Sequence, residues 1–293
     1  MNAEKSTIAL PPREEIAANV RRALAEDIGS GDLTAELLLA EQRVKARVIT
    51  RASGILCGQS WFDECFAQLD DETPTRMDWR VKEGARVTPG QTLCALEGKA
   101  RALLGGERSA LNFLQLLSGV ASKTRRYVEA AAGTRAQIVD TRKTLPGLRL
   151  AQKYAVRIGG GGNHRLALWD AILIKENHIM AAGGIAAAIA AARQIARQNP
   201  HCRFVQIEVE NLAQMEAALA ANAKMLLLDN FDLPTLRRAV RLNRGRAVLE
   251  ASGGLTLADL RAVAETGIDR ISVGALTKDV EAFDLSLRVI PGA

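Results

Sequence analysis

The spacing of apolar residues changes character about two-fifths of the way along the chain. Apolar residues recurring every four positions predict a helix over 14–27, and strict alternation predicts a strand over 43–50. Two further short strands are expected around a Pro-Gly turn at 89–90, and an apolar stripe predicts one long helix over 105–131. We therefore predict a mixed α/β domain over residues 1–116.

Short apolar runs then alternate with helical stretches over residues 117–293, the predicted second domain. The runs are AQIVD (136–140), DAILI (170–174), FVQIEV (204–209), MLLLD (225–229), AVLEA (247–251) and RISV (270–273). A later repeat of roughly 20 residues is long enough for a strand and a helix, which implies parallel strands. Six such runs favour a complete or partial (β/α) barrel, and an open doubly wound sheet is the alternative.

The chain carries 39 Lys and Arg residues against 33 Asp and Glu residues, a formal net charge of +6. Eight basic and two acidic residues lie between Arg135 and Lys175, so this one segment accounts for the whole excess. Aromatic residues make up only 4% of the chain. Nucleic-acid binding needs a spread basic surface, with stacking aromatics for single strands, and is therefore disfavoured.

The remaining composition is that of an ordinary globular protein. No apolar run approaches the length of a membrane span, and residues 1–15 lack a signal-peptide core. The four cysteines form no CxxC pair, so we expect reduced thiols and a cytoplasmic location, with no membrane partner.

Polar residues follow several of the predicted strands, at the end of a barrel where such enzymes place their sites. Glu208 and Asp229 lie on consecutive strands, and two carboxylates together with substrate phosphates commonly hold Mg²⁺. Ser252-Gly253-Gly254 precedes a Thr256-x-x-Asp259 helix start and suits a phosphate, as does Gly274 after the next strand. The alternative for the carboxylates is ion pairing with the basic segment.

The basic segment predicts a pocket for a small polyanion. Arg142 and Arg165 offer planar forks for carboxylates or phosphates, and Lys143 and Lys175 offer point charges. His164 lies beside Arg165 and is expected to contact the same ligand. The three other basic residues of the segment that recur every four positions (Arg149, Lys153 and Arg157) are expected on a solvated helix face.

Nine motifs, spread in order over nearly the whole chain, resemble those of the quinolinate phosphoribosyltransferase (nicotinate-nucleotide pyrophosphorylase) family. They are EDIGSGDLT (26–34), ERSALNFLQLLSG (107–119), DTRKTLPGLR (140–149), GGGGNHR (159–165), DAILIKENH (170–178), IEVEN (207–211), LLLDNF (226–231), EASGGL (250–255) and SVGALT (272–277). The resemblance implies an amino-terminal α/β sandwich domain followed by an incomplete (β/α) TIM-like barrel. It also implies a pentosyl-transferring enzyme that uses Mg²⁺ to convert quinolinate and phosphoribosyl pyrophosphate (PRPP) into nicotinate mononucleotide, CO₂ and pyrophosphate in de novo NAD biosynthesis.

The resemblance also implies roles for individual residues. Arg108 would reach the neighbouring subunit's site in a homodimer, or in a hexamer built as a trimer of dimers. The quinolinate carboxylates would be surrounded by Arg142, His164, Arg165 and Lys175. Lys143 and Thr144 would bind substrate, with Lys143 near the pyrophosphate. Glu208 and Asp229 would lie near the ribose and Mg²⁺. The 5′-phosphate would be cradled by Ser252, Gly253, Gly254, Val273, Gly274 and Ala275. The catalytic residues would be Lys143, Lys175, Glu208 and Asp229.

Two other enzymes are weighed against this one. A molybdenum-transport-associated paralogue shares the fold, but the complete set of TRK, NHR and Lys175 favours quinolinate. A Schiff-base aldolase would use Lys143 or Lys175 as its nucleophile. Such a lysine usually occupies a desolvated pocket, whereas these two are placed among other cations.

Overall fold

The computed structural model describes residues 9–70 and 73–291. In chain order the first elements are α1 (Arg13–Ile28), β1 (Arg43–Thr50), β2 (Gly54–Ile55), α2 (Gln59–Leu69), β3 (Arg76–Trp79), β4 (Arg86–Val87), β5 (Thr92–Lys99) and α3 (Ala100–Ala130). The later elements are β6 (Gln137–Val139), α4 (Arg149–Ile158), β7 (Ile172–Ile174), α5 (Glu176–Ala181), α6 (Ile185–Gln198), β8 (Val205–Val209), α7 (Leu212–Ala220), β9 (Met225–Asp229), α8 (Leu233–Asn243), β10 (Val248–Ser252), α9 (Leu257–Ala264), β11 (Arg270–Ser272), α10 (Ala275–Lys278) and β12 (Leu285–Val289). Residues 1–8, part of the stretch in which we expected no signal-peptide core, lie outside the described residues.

The chain divides into two compact units. The first contains the described residues up to 125 together with 145–160 and 280–291, and the second contains 126–144 and 161–279. None of the described helices is both long enough and apolar enough to cross a membrane.

The first unit is built on an antiparallel sheet of four strands in the order β12-β1-β5-β3. The predicted helix over 14–27 and strand over 43–50 are confirmed as α1 and β1. The strands on either side of the turn at 89–90 do not pair with each other, because β4 pairs with β2 while β5 pairs with β1 and β3. Aromatic side chains of α2 form part of the core, where the rings of Phe62 and Trp79 meet edge to face at 5.2 Å.

The second unit is a parallel sheet in the order β6-β11-β10-β9-β8-β7. All six predicted strands are present. Consecutive strands are neighbours from β7 to β11, and the first strand, β6, pairs with the last, β11. A doubly wound sheet reverses direction at a switch point, whereas this order runs one way and leaves its gap between β6 and β7. The prediction of an α/β protein with an incomplete (β/α) barrel is therefore confirmed.

The basic segment 135–175 is divided between the two units. Arg149, Lys153 and Arg157 lie on α4 in the first unit, and Arg135 pairs with Asp269 in the second. The prediction that Lys153 faces solvent is wrong, because the residue is only 1% exposed. Every residue of α4 from 151 to 156 is buried, so a four-residue spacing of cations there does not mark an exposed face.

Candidate active site

The carboxyl ends of the parallel strands bring the predicted site residues of the second unit to one edge of its sheet. Asp229, the last residue of β9, is the register partner of Ser252, the last residue of β10. Lys175 directly follows β7, and Gly274 lies two residues beyond β11. In a barrel this is the edge from which loops bind substrate.

A tight turn after β6 places Lys143 against the end of β11. The Thr141 hydroxyl accepts a hydrogen bond from the Lys143 N–H at 3.0 Å, and the Thr277 hydroxyl donates one to the Lys143 carbonyl at 2.8 Å. The Thr144 N–H donates to the Arg142 carbonyl at 3.0 Å. A Cβ on Gly274 would lie 3.1 Å from Cδ of Lys143, so glycine allows this close approach.

Two guanidinium groups at this edge lack full compensation. Nε of Arg142 is buried, and no hydrogen-bond partner is found for it among the described residues. Arg165 is buried, and this burial, followed by the charge of Arg142, lowers its pKa, while Asp170 and Glu208 oppose the shift. Cations held together in this way repel each other, and a bound anion with several oxygens would relieve the repulsion. The pair therefore suits a carboxylate or a phosphate.

The segment carrying Arg165 lies in the gap between β6 and β7. Gly162 forms a parallel bridge with Val139, and a Cβ there would come within 2.8 Å of the Gln137 amide nitrogen. The buried Asp140 carboxylate accepts hydrogen bonds from the Asn163 side chain at 2.7 Å and from the His164 N–H at 2.9 Å. Gly162 therefore has to be small for this segment to follow β6 so closely.

Both ring nitrogens of His164 contact other protein groups, so neither is free at the edge of the sheet. Its Nδ1 accepts a hydrogen bond from the Arg165 N–H at 2.7 Å, and its Nε2 lies 2.8 Å from Oε1 of Gln206. These partners are consistent with a neutral ring that carries its proton on Nε2. The ring thereby supports the backbone of Arg165, and its contact with a substrate carboxylate stays a prediction.

Behind His164 lies a polar network that the sequence analysis missed. The Gln206 amide donates to Oε2 of Glu250 at 3.2 Å, and Nε of Arg270 lies 3.3 Å from the same oxygen. The Arg270 guanidinium also lies over the ring of Phe204, 5.9 Å from its centroid. Gln206 and Glu250 each stand two residues before a predicted site residue, Glu208 and Ser252, and so share a strand face with it. That alternation is the signal that could have identified them.

The acidic side of the edge consists of Glu208 and Asp229. Nζ of Lys175 lies 2.7 Å from Oε2 of Glu208, and the side chains of the two residues are 44% and 12% exposed. The Asn230 amide donates to Oδ2 of Asp229 at 2.8 Å. A paired ammonium is a poor Schiff-base nucleophile, so the geometry of Lys175 disfavours the aldolase alternative.

The carboxylates suit a hard cation that is shared with a substrate. Over residues 9–70 and 73–291, no cluster of three or more His, Cys, Asp or Glu side chains is arranged to hold a metal. Mg²⁺ keeps several waters and is commonly held by one or two carboxylates together with substrate phosphates. Glu208 and Asp229 therefore fit Mg²⁺ bound together with a phosphorylated ligand, and do not form an all-protein cage.

The glycine loop after β10 has the conformation expected of an anion cradle. Gly253 and Gly254 both have positive φ, +114° and +55°, which glycine adopts without strain. The predicted cap of the following helix is confirmed, since the Thr256 N–H and hydroxyl both donate to Asp259, at 3.1 and 2.6 Å. Phosphate binding by this loop and by Val273, Gly274 and Ala275 stays a prediction.

Arg108 belongs to the first unit. It lies on α3 with an exposed side chain, next to Glu107. Burial raises the pKa of Glu107, and the charge of Arg108 partly opposes that rise. The expected reach of Arg108 into a neighbouring site stays a prediction.

Comparisons with known proteins cover both units. Residues 32–118 match the family model described as the N-terminal domain of quinolinate phosphoribosyl transferase, and residues 120–288 match its C-terminal domain. The chain is 42% identical over 264 residues to the probable nicotinate-nucleotide pyrophosphorylase (carboxylating) of Bacillus subtilis (strain 168), which covers 90% of each chain. It is 42% identical over 276 residues to the nicotinate-nucleotide pyrophosphorylase (carboxylating) of Mycobacterium leprae (strain TN), covering 92% of this chain and 95% of that one. The solved structure of the Francisella tularensis nicotinate-nucleotide pyrophosphorylase superposes with a TM-score of 0.91 at 43% identity, over 99% of this chain and 100% of that one.

Proposed function

The chain belongs to the quinolinate phosphoribosyltransferase family, and we propose that it transfers the phosphoribosyl group of PRPP to quinolinate with decarboxylation. The products are nicotinate mononucleotide, CO₂ and pyrophosphate, in de novo NAD biosynthesis. The single observation that carries this reading is the pair Arg142 and Arg165 at one sheet edge with two carboxylates, Glu208 and Asp229. Both substrates are polyanions, and positive charge develops on the ribose during the transfer. The arginines suit the anionic groups, and the two carboxylates suit the positive charge.

Binding the two substrates side by side is the first task of the site. Like charges repel strongly in a cleft of low dielectric, so bringing a dicarboxylate next to a pyrophosphate is unfavourable without cations. Arg142 and Arg165 are assigned to the quinolinate carboxylates, and Lys143 to the pyrophosphate. Lys175 is assigned to the carboxylates as well, since a substrate carboxylate competes with Glu208 for its ammonium group. This arrangement holds the pyridine nitrogen near C1 of the ribose.

The chemistry then proceeds without a side-chain nucleophile. The ring nitrogen forms a bond to ribose C1 as the bond from C1 to pyrophosphate breaks, and positive charge builds on the ribose. Glu208 and Asp229 stabilise that charge, while Lys143 stabilises the departing pyrophosphate. The C2 carboxylate then leaves as CO₂, and the electron pair of the broken C–C bond stays on C2, where the adjacent positively charged ring nitrogen stabilises it. A proton taken up at C2 completes nicotinate mononucleotide.

Glu208 and Asp229 would also hold Mg²⁺, shared with PRPP oxygens. When bound there, the ion supplies charge neutralisation for the departing pyrophosphate. The hard oxygen donors of this carboxylate pair support the assignment. Its test is turnover and PRPP binding after chelation of divalent ions and again after Mg²⁺ is restored. Unchanged PRPP affinity in the absence of divalent ions would contradict it.

We further propose that the enzyme is a homodimer, or a trimer of dimers, in which Arg108 enters the partner's site. Exposed Arg108 and the leucines Leu33, Leu37 and Leu39, which are 82%, 84% and 77% exposed in the first unit, support a covered surface there. Mixing inactive Arg108→Ala and Lys175→Ala variants after subunit exchange should restore about a quarter of the wild-type sites, because hybrids contain one intact site. Absence of any recovery in mixed dimers would contradict the shared site.

A reducing, cytoplasmic location is also proposed. The four cysteines, Cys57, Cys65, Cys94 and Cys202, are all free, and three of them are buried, which supports a compartment where thiols stay reduced. Fractionation of the native source with an antibody to the chain tests this location.

The function itself is tested by release of labelled CO₂ from quinolinate labelled in its C2 carboxylate, with PRPP and Mg²⁺ present. Release that depends on PRPP is expected, and Arg142→Ala should abolish it while the circular dichroism spectrum stays unchanged. Folded wild-type protein that releases no label would refute the proposal. Other aromatic carboxylates, tested as acceptors under the same conditions, separate this enzyme from the paralogue with a different substrate.

A further inference from the structure

Asn230, directly after β9, has a backbone conformation that neighbouring secondary structure does not explain. Its φ is +57°, and among the described residues only Asn222 and Arg244 are other non-glycine residues with positive φ. Asn222 lies just beyond the end of α7, and Arg244 caps α8, so both terminate helices, where left-handed residues are common. Asn230 instead stands between a strand and the Asp232 cap of α8, where no helix end requires this conformation.

The left-handed turn brings the Asn230 side chain between two parts of the site. Its amide nitrogen donates to Oδ2 of Asp229 at 2.8 Å, and its backbone N–H donates to the Ser252 carbonyl at 3.0 Å. Its amide oxygen packs on Gly253, since a Cβ built there would lie 2.2 Å from that oxygen. One side chain therefore touches both the carboxylate and the glycine loop.

We propose that Asn230 is a positioning residue that fixes the Asp229 carboxylate relative to the Ser252–Gly254 loop. The inference rests on the proposed function, in which the carboxylate serves the ribose side of PRPP and the loop its 5′-phosphate. The Asn230 amide holds Oδ2 of Asp229. No residue in the described ranges donates a hydrogen bond to Oδ1, which leaves that oxygen for the ligand. Strained backbone at such a point is kept where a geometry must be exact.

The contacts of Asn230 concern the binding of PRPP rather than that of quinolinate. Both groups that Asn230 contacts are assigned to the ribosyl phosphate, whereas the cations assigned to quinolinate follow β6 and β7 or belong to the segment 161–165. Loss of the Asn230 amide should therefore weaken PRPP binding and leave quinolinate binding intact. A purely structural role would change both affinities, or the thermal stability, together.

The test compares Asn230→Gly with Asn222→Gly in the full-length protein. Glycine keeps the left-handed backbone at both positions and removes only the side chain, so the second variant controls for backbone effects. PRPP affinity is measured by isothermal titration calorimetry with Mg²⁺ and without quinolinate. KM and kcat for each substrate, and the melting temperature, are measured in parallel.

For Asn230→Gly we expect the Kd and KM of PRPP to rise about 10- to 100-fold, the range typical of removing a residue that orients a metal-ligating side chain. The quinolinate KM and the melting temperature should stay at wild-type values, as should every property of Asn222→Gly. A PRPP affinity within about twofold of wild type, or an equal loss for quinolinate, would overturn the inference. If wild-type protein binds PRPP but releases no CO₂ from quinolinate, the proposed function fails, while the comparison of PRPP affinities still decides the role of Asn230.

Discussion

Glu250 supports the site from inside the barrel, and its removal gives the most informative stability prediction. It is 0% exposed, yet it carries an acidic side chain among Gln206, His164 and Arg270. In Glu250→Ala the Arg270 guanidinium loses the carboxylate that faces it, and the Gln206 amide loses its acceptor. The second unit should therefore unfold more easily, and the support behind His164 should loosen.

The size of the effect follows from the geometry. Breaking a buried ion pair by removing one partner costs about 3–5 kcal/mol. Two features place Glu250 at the lower end of that range. The Arg270 side chain keeps 14% of its exposure, and its Nε lies 3.3 Å from the carboxylate without hydrogen-bond alignment. A loss of about 3 kcal/mol corresponds to a fall of about 6–12 °C in melting temperature for a domain of this size.

The assay is thermal and urea unfolding, followed by circular dichroism, of three variants and a control. Glu250→Gln keeps an acceptor oxygen and should lose less than Glu250→Ala. The double variant Glu250→Leu with Arg270→Met removes both charges and should be more stable than Glu250→Ala, because no unpaired ion remains. Glu265→Ala, which breaks the exposed pair of Arg261 and Glu265, should cost no more than about 0.5 kcal/mol.

A melting temperature of Glu250→Ala within about 1 °C of wild type would refute this reasoning, since it would mean that the buried carboxylate compensates nothing. A double variant less stable than Glu250→Ala would refute the part that concerns the unpaired arginine.

Three further predictions concern single residues. Burial raises the pKa of Asp63 from 3.8 to about 6, so the folded state loses stability as pH rises through this window. Asp63→Asn should therefore raise stability at pH 7.5 by about 1–2 kcal/mol after allowance for screening, and flatten the melting profile between pH 4 and 6. Gly253→Ala would place Cβ 2.2 Å from the Asn230 oxygen, whereas Gly254→Ala meets no atom within 4 Å. The first variant should lose PRPP affinity in calorimetry far more than the second. Burial raises the pKa of Asp170, but two backbone N–H groups and a guanidinium outweigh it and hold that pKa below 3.8. Its contribution is thus present at neutral pH and lost as pH falls through the lowered value, so Asp170→Asn should lower the melting temperature at pH 7 and reduce the loss seen in acid.

The fold was predictable where the period of apolar residues was unambiguous. Short runs such as MLLLD, separated by helical stretches, predict buried parallel strands, and all six were found. The place of the gap, between β6 and β7, was not predictable, because strand pairing depends on contacts distant in the sequence. The burial of Lys153 was missed for the same reason, since neighbouring residues do not reveal what packs on α4.

The residues of the site were predictable, but the hydrogen-bond partners that orient them were less so. Polar residues at strand ends pointed to Lys175, Glu208 and Asp229, because parallel strands end at one edge. The partners that orient them were not evident. Glu250 shares a strand face with Ser252, but the sequence does not show that its carboxylate is fully buried. Asn230 reads as a turn residue, although its amide bridges the carboxylate and the glycine loop.

The central claim is that this cationic edge selects a dicarboxylate acceptor. The most direct measurement is nucleotide formation from PRPP with quinolinate or with nicotinate, which lacks the C2 carboxylate, followed by chromatography and mass spectrometry. The account predicts that quinolinate yields nicotinate mononucleotide, CO₂ and pyrophosphate in equal amounts, and that nicotinate yields little or no nucleotide. Equal or faster product formation from nicotinate would contradict it, because the second carboxylate would then contribute nothing to recognition.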